Sequence, residues 1–230
     1  MIVVAVISFF LFTFLYLRDV TKRNKINRSM RLAMKVFNQI YNEFGGYQIA
    51  KNERKRLDIH DDSFIYGEIR FAAFAYLLDN IEIKPGEVFY DLGCGSGKAV
   101  IAAGLLRSWR KCCGIEFLPG LAECCHEVKK KVLANPGFIY HFKTDLSAIE
   151  FKNQNFLEAD FLDADVVFLH ATTFQTSLWQ ALLLKLNQLK VGSRVIVASL
   201  RLPEAFFELK NAHVVTMGWG ECSVYLYHKK

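Results

Sequence analysis

From residue 67 onward, short apolar runs alternate with longer stretches whose apolar positions recur at three- and four-residue spacing. The first pattern predicts buried strands and the second predicts helices. Tyr66-Gly67-Glu68 opens a predicted helix through Leu78, followed by a strand at Val88–Leu92 and a helix at Gly97–Leu106. Lys111–Glu116 reads as a strand, Leu118–Val132 as a helix and Phe138–Lys143 as a third strand. Residues 146–163 carry no clear period. A strand at Val166–His170, a helix at Phe174–Leu189 and a strand at Arg194–Leu200 come next. A short helix at Glu204–Leu209 then precedes strands at Val214–Met217 and Ser223–Tyr227. Such alternation predicts an α/β fold: a seven-stranded, mostly parallel sheet with helices on both faces. The last two strands are joined too closely to be parallel, so the sheet closes with an antiparallel strand.

Upstream the pattern differs. Ile2–Leu17 is apolar and uncharged, 16 residues that would span roughly 24 Å as a helix, against a hydrocarbon core of ~30 Å. No basic residue precedes it and no small-residue cleavage site follows, so it reads as a hydrophobic anchor helix rather than a cleaved signal. A hydrophobic helix docked on the domain is the plainer alternative. Arg18, Lys22, Arg23, Lys25, Arg28 and Arg31 follow, which predicts a membrane-anchored protein with its C-terminal domain on the cytoplasmic side. Ile26–Phe44 then reads as a helix ended by Gly45-Gly46, with Ile26, Met30, Met34, Phe37, Ile40 and Tyr41 on one face. The expected organisation is an anchor over 1–17, a basic juxtamembrane linker and helix over 18–56, and a folded domain over 57–230.

Charge sharpens this division. The chain carries 29 Lys+Arg and 23 Asp+Glu, a net +6, but residues 1–56 hold 11 cations against 3 acids. The remainder holds 18 against 20, so the folded part is slightly acidic. A nucleic-acid-binding fold should carry its basic footprint on the domain itself, so nucleic acid is not the expected partner. The six cysteines, at 94, 112, 113, 124, 125 and 222, lack the spacing of zinc or redox motifs and read as small core hydrophobes in a reducing compartment. No metal site is expected.

The candidate chemistry lies at Asp91-Leu92-Gly93-Cys94-Gly95-Ser96-Gly97, where a strand ends and a helix begins. A phosphate-binding P-loop would need glycine at Leu92 and Ser or Thr at Ala99, so that reading fails. A dinucleotide fingerprint would need G-x-G-x-x-G, whereas this loop is G-x-G-x-G with an acid two residues ahead. A carboxylate there suits a ligand bearing an ammonium group, as S-adenosylmethionine does. Glu116 ends the next strand, where an acid can accept ribose hydroxyls. Asp145 follows the expected third strand and could accept from the adenine amino group. One acid alone could be a helix cap; three at successive strand ends predict a methyltransferase-type nucleotide site.

Tyr66-Gly67-Glu68, Ala164-Asp165-Val166-Val167-Phe168, Arg201-Leu202-Pro203 and Gly218-Trp219-Gly220-Glu221 together resemble the Dot (disruptor of telomeric silencing) class of non-SET histone-lysine methyltransferases. The resemblance covers residues 57–230. It implies a Rossmann-like fold, S-adenosylmethionine as cofactor, and transfer of its methyl group to a protein lysine amine by in-line displacement. It places the donor site on Tyr66, Glu68, Asp91, Gly93, Gly95, Glu116 and Asp145, although Asp160-Phe161 also looks like the adenine pair. His170 stands where the family has asparagine facing the methyl-transfer site; it could orient the amine or accept its proton, or be a bystander at a strand end. Trp219 and Tyr225 match aromatic channel positions, though aromatics on closing strands are also ordinary core. The basic segments that nuclear members add are represented here only by Lys51–Arg56 and the cluster after Leu17. Other acceptors compatible with these residues are a small or membrane-soluble molecule, and a non-catalytic cofactor-binding module is the remaining alternative.

Overall fold

The computed structural model describes residues 28–135 and 145–230. The expected anchor at 2–17 and the expected strand at 138–143 lie outside the described residues. Among those described, no helix is long and apolar enough to cross a membrane.

The strands are β1 (Glu87–Leu92), β2 (Trp109–Glu116), β3 (Ile149–Asn153), β4 (Val166–His170), β5 (Arg194–Ala198), β6 (Phe207–Thr216) and β7 (Glu221–Lys229). They form one sheet in the order β3-β2-β1-β4-β5-β7-β6. Pairing is parallel from β3 through β5, and β7 runs antiparallel to both β5 and β6. The chain order reverses between β1 and β4, which opens a crevice beyond their carboxyl ends.

The helices are α1 (Arg28–Tyr41), α2 (Gly46–Arg56), α3 (Phe71–Asp79), α4 (Lys98–Leu106), α5 (Pro119–Leu133) and α6 (Thr176–Leu186). Alternate strand residues feed two cores, because successive side chains leave a strand on opposite faces. Phe89, Cys112, Phe168 and Ile196 pack beneath α1, α3, α4 and α5, whereas Val88, Tyr90, Cys113, Val167 and Val195 pack against α6. All six cysteines are free and buried.

Several expected boundaries move. The segment 66–70 is extended rather than helical, because its backbone is engaged elsewhere: Ile69 bridges Met217 and Glu68 O accepts from Gly218 N at 2.7 Å. The helix therefore starts at Phe71. Residues 204–206 form a turn, and Phe207 and Leu209 enter β6 opposite Lys229 and Tyr227. Residues 46–56, left without an element by their polar composition, form α2, packed against α5. Ala33, Phe37, Ile40 and Tyr41 of α1 are buried in the same core as α3 and α4.

The third strand is the largest displacement. The strand paired with β2 is Ile149–Asn153, within the stretch that carried no clear period. Asp145 therefore precedes the third strand instead of following it. It is exposed and caps a short turn, accepting from Ser147 N at 2.9 Å.

Candidate active site

Beyond the carboxyl ends of β1, β2 and β4 lies a cavity of about 480 Å³. Gly93 and Gly95 form one wall, Glu116 and Phe117 a second, and Asn155 and Phe156 a third. The 3-10 turn at Asp62–Phe64, the extended residues 65–67, His170 and the start of α6 complete it. A recess of about 20 Å³ shares Tyr66, Gly67, Gly93 and His170 with it, and is also lined by Glu68, Asp91 and Lys98.

The glycine loop is shaped by what must come near it. Gly95 is left-handed, at φ +56°, and a Cβ there would sit 2.4 Å from the Tyr66 ring. Only glycine supplies that conformation and that clearance at low cost. Gly93 is also left-handed, at φ +80°, but its missing Cβ points at open space, with only Phe156 near, at 4.0 Å. A side chain there would occupy the cavity.

Two acids at adjacent strand ends are held differently. Glu116 is buried, and each carboxylate oxygen accepts a backbone N–H: Gly95 N on Oε2 and Leu118 N on Oε1, both at 2.8 Å. Burial still pushes its carboxyl above the usual range, partly offset by those bonds. Asp91 is buried, and its Oδ1 has no hydrogen-bond partner among the described residues. Burial first, and then the nearby Glu116 charge, push its carboxyl well above the ordinary value. An unpartnered buried carboxylate is costly, and a cation supplied by a ligand is the natural remedy.

Tyr66 and Glu68 frame the recess. The Tyr66 hydroxyl donates to Glu68 Oε1 and lies against Ser96 Oγ, both at 2.7 Å. Lys98 Nζ donates to Glu68 Oε2 at 2.5 Å. Tyr41, from α1, donates to Ser96 O at 3.1 Å, which ties the N-terminal helix to the glycine loop.

At the other end His170, the last residue of β4, lines both cavity and recess. Its ring packs over Gly67, where a Cβ would come within 2.5 Å of it, and its centroid is 6.1 Å from that of Trp219. Burial pushes the imidazole down to about 4, and Nε2 has no partner among the described residues. His170 is therefore a neutral ring at physiological pH. Trp219 sits at the β6–β7 hairpin tip, 45% exposed, with its indole near Gly67.

Thus Tyr66, Glu68, Asp91, Gly93, Gly95, Glu116 and His170 are gathered at one place, with Trp219 touching its edge. Tyr225 lines neither cavity; its ring packs on the inner face beneath Arg201, whose guanidinium lies 4.8 Å from the ring centroid. Asp145 lines neither cavity. Asp160 is exposed and caps its own turn through Leu162 N. Asn155 and Phe156, just past the end of β3, line the cavity. The alternation of Ile149 and Phe151 with Glu150 and Lys152 was the available signal for that strand. Lys98, the residue just after the glycine loop, lines the recess without any expectation from the sequence. Among the described residues no cluster of His, Cys, Asp or Glu could hold a metal ion.

The family model for "Histone methylation protein DOT1" matches residues 56–217. The chain belongs to this family. Similar curated proteins include H3 lysine-79-specific histone-lysine N-methyltransferases of Cryptococcus neoformans and Eremothecium gossypii. The first is 29% identical over 147 residues, covering 61% of this chain and 22% of the relative. The second is 25% identical over 150 residues, covering 63% and 26%. The chain thus spans about a quarter of the length of these relatives. Among solved structures, an RNA methyltransferase from Salinibacter ruber, in complex with S-adenosyl-L-homocysteine, superposes with a TM-score of 0.51 at 23% identity. That match covers 68% of this chain and 89% of the other. TrmN from Thermus thermophilus superposes at 0.50 with 22% identity, over 70% and 49% of the two chains. These two likenesses are of fold. In this DOT1-family member the glycine loop and Glu116 occupy the crevice where open α/β sheets bind ligands.

Proposed function

We propose that this protein is an S-adenosylmethionine-dependent methyltransferase acting on the amine of a protein lysine. The observation that carries the reading is Asp91: a buried carboxylate with an unpartnered oxygen, in a recess it shares with a lysine. A carboxylate and an ammonium in one recess match the opposite charges of an amino-acid moiety. The open face of Gly93 and the restrained Glu116 match a nucleoside. The residues present therefore fit S-adenosylmethionine, which supplies a methyl group on a positively charged sulfur.

Asp91 would hold the ammonium and Lys98 the carboxylate of the amino-acid part. Glu116 retains lone pairs beyond its two backbone bonds and would accept the ribose hydroxyls. Phe156 and Asn155 would bound the base. His170 is neutral, so its free ring nitrogen can accept a hydrogen bond from the incoming amine and orient it. Trp219 and the Gly67 backbone narrow the approach and strip water from the amine, which favours its uncharged, nucleophilic form. Alignment and desolvation, rather than covalent catalysis, supply the rate gain.

Labelled methyl donor offered with total membrane and soluble fractions tests this reading. Label in protein, lost in Asp91→Asn, is the expected result; label only in solvent-extractable material transfers the reading to a small or lipid-soluble acceptor. His170 is the observation favouring that second reading, because the family resemblance implies asparagine there. We further read residues 2–17 as a membrane anchor with the domain on the cytoplasmic side, on the strength of the uncharged apolar stretch and the six cations that follow. Retention of the full chain in carbonate-washed membranes, with the domain open to protease added on the cytoplasmic side, is the expected outcome; a carbonate-soluble chain would exclude it.

A further inference from the structure

The cavity has two walls that belong to different parts of the chain: the loop after β3 and the inner face of α6. One side chain joins them. Lys185, in the last turn of α6, donates to three main-chain carbonyls of that loop: Leu157 O at 2.8 Å, Ala159 O at 2.5 Å and Phe156 O at 3.4 Å. An ammonium has three N–H donors, and here all three are committed. The charge has no carboxylate partner among the described residues; its other neighbour is the Phe161 ring, 5.1 Å from Nζ to centroid.

We propose that Lys185 is a positioning residue that sets the affinity of the cavity for its methyl donor, an inference that rests on the donor reading above. The loop it grips has no regular secondary structure, yet it carries Asn155 and Phe156 into the cavity. Phe156 stacks on Phe174, at 5.9 Å and 25°, and is the nearest neighbour across the open face of Gly93. The other of these two walls, Ser177, Leu178 and Ala181, lies on α6 itself. A cation on α6 that binds successive loop carbonyls therefore fixes the spacing between the walls. Charge-assisted hydrogen bonds are shorter and stronger than neutral ones, and they are directional enough to hold a loop in one geometry. Lys185 touches none of the reacting groups, so its effect is on donor binding and not on the transfer step.

The test uses the full chain and two variants. Lys185→Met keeps the length and apolar stem but removes every donor; Lys185→Arg keeps the charge. Hydrogen exchange of the amides of residues 156–159 without ligand is measured beside calorimetry with S-adenosylmethionine. In Lys185→Met we expect loop exchange to accelerate and the dissociation constant to rise, each by about tenfold, the scale of a lost charged hydrogen bond. Strands β1 and β4 should retain their protection, and kcat at saturating donor should be unchanged. Lys185→Arg should recover part of both effects, and it carries the test should the methionine variant fail to fold. Unchanged loop exchange, unchanged donor affinity, or a fall in kcat alone would each overturn the inference. If the unaltered protein binds no donor, the methyltransferase reading fails, and the exchange data alone still decide whether Lys185 holds the loop.

Discussion

The end of the site proposed to take the methyl donor and the end proposed to take the acceptor meet at His170 but are held in place by different means. Around Glu116, Gly95 and Leu118 the polar atoms are restrained by main-chain hydrogen bonds, and the glycine loop is locked against Tyr66. Around His170 and Trp219 the contacts are ring against ring and ring against glycine, with one buried imidazole nitrogen unpartnered and the indole half in solvent. The first end is held by the main chain before any ligand arrives, apart from the unpartnered Asp91 oxygen; the second is a shaped opening without main-chain restraint, holding one unpartnered nitrogen on His170. This difference teaches where substitutions should be tolerated: on the proposed reading donor binding would be built into the sheet, while acceptor choice would rest on a hairpin tip and a strand end.

The strongest challenge to that contrast is to remove the support behind the donor end. Phe37 of α1 is buried against Tyr41 and Phe71, with ring centroids 4.5 and 5.0 Å away. Phe37→Ala should cost about 3–5 kcal/mol, read by urea unfolding. Loss of donor binding at temperatures where the variant remains folded would place α1 within the donor scaffold.

Asp91→Asn should weaken donor affinity by roughly a hundredfold, the upper part of the range for a hydrogen bond to a charged group. The same substitution should raise the stability of the ligand-free protein. Burial raises the Asp91 carboxyl in the folded state, so its stabilising contribution is complete below the unfolded value and fades as pH climbs through the folded one. Ligand-free stability should therefore fall over that window in the unaltered protein and fall less in the variant. Glu116 contributes in the same direction. Donor affinity should show the opposite trend, rising as Asp91 ionises.

His170→Asn probes the acceptor end. We expect kcat to fall about tenfold with the donor dissociation constant unchanged, as for loss of one oriented hydrogen bond. Because burial holds the ring near 4, the unaltered protein should show no limb in its proposed activity from this group near pH 6.5, and kcat should decline only as pH approaches about 4. Unchanged kcat would reduce His170 to a bystander. The smallest effect belongs to Trp219→Ala: a several-fold rise in acceptor KM with the melting temperature nearly unchanged, as expected of a side chain 45% exposed.

Much of the donor end was legible along the chain. Asp91, Gly93, Gly95 and Glu116 sit where apolar runs stop, and a strand that ends in an acid or a glycine loop announces itself within ten residues. Asp145 was read as a site residue because the expected third strand placed it at a carboxyl end; it caps a turn ahead of Ile149–Asn153 and lines neither cavity. The paired strand Ile149–Asn153 is an edge strand, and its Glu150, Lys152 and Asn153 are exposed, so its apolar signal is thin. Without that strand, Asn155 and Phe156 had no position to be read from. Tyr225 misled for another reason: a closing-strand aromatic can face either side of the sheet, and here its pairing with Val197 and Ala212 turns it to the α6 side.

Local pattern alone determined the strand–helix alternation, the antiparallel closure and the acid–glycine loop, because burial on a strand or helix imposes a period on the residues within it. Tertiary structure decided which strand lies beside β2, which face of α1 becomes core, and which distant residues share the cavity. Those outcomes depend on pairing between segments far apart in sequence, such as Gly67 with His170 and Trp219, or Lys185 with the loop after β3. Periodicity reports that a side chain is buried; only the packed sheet says against what.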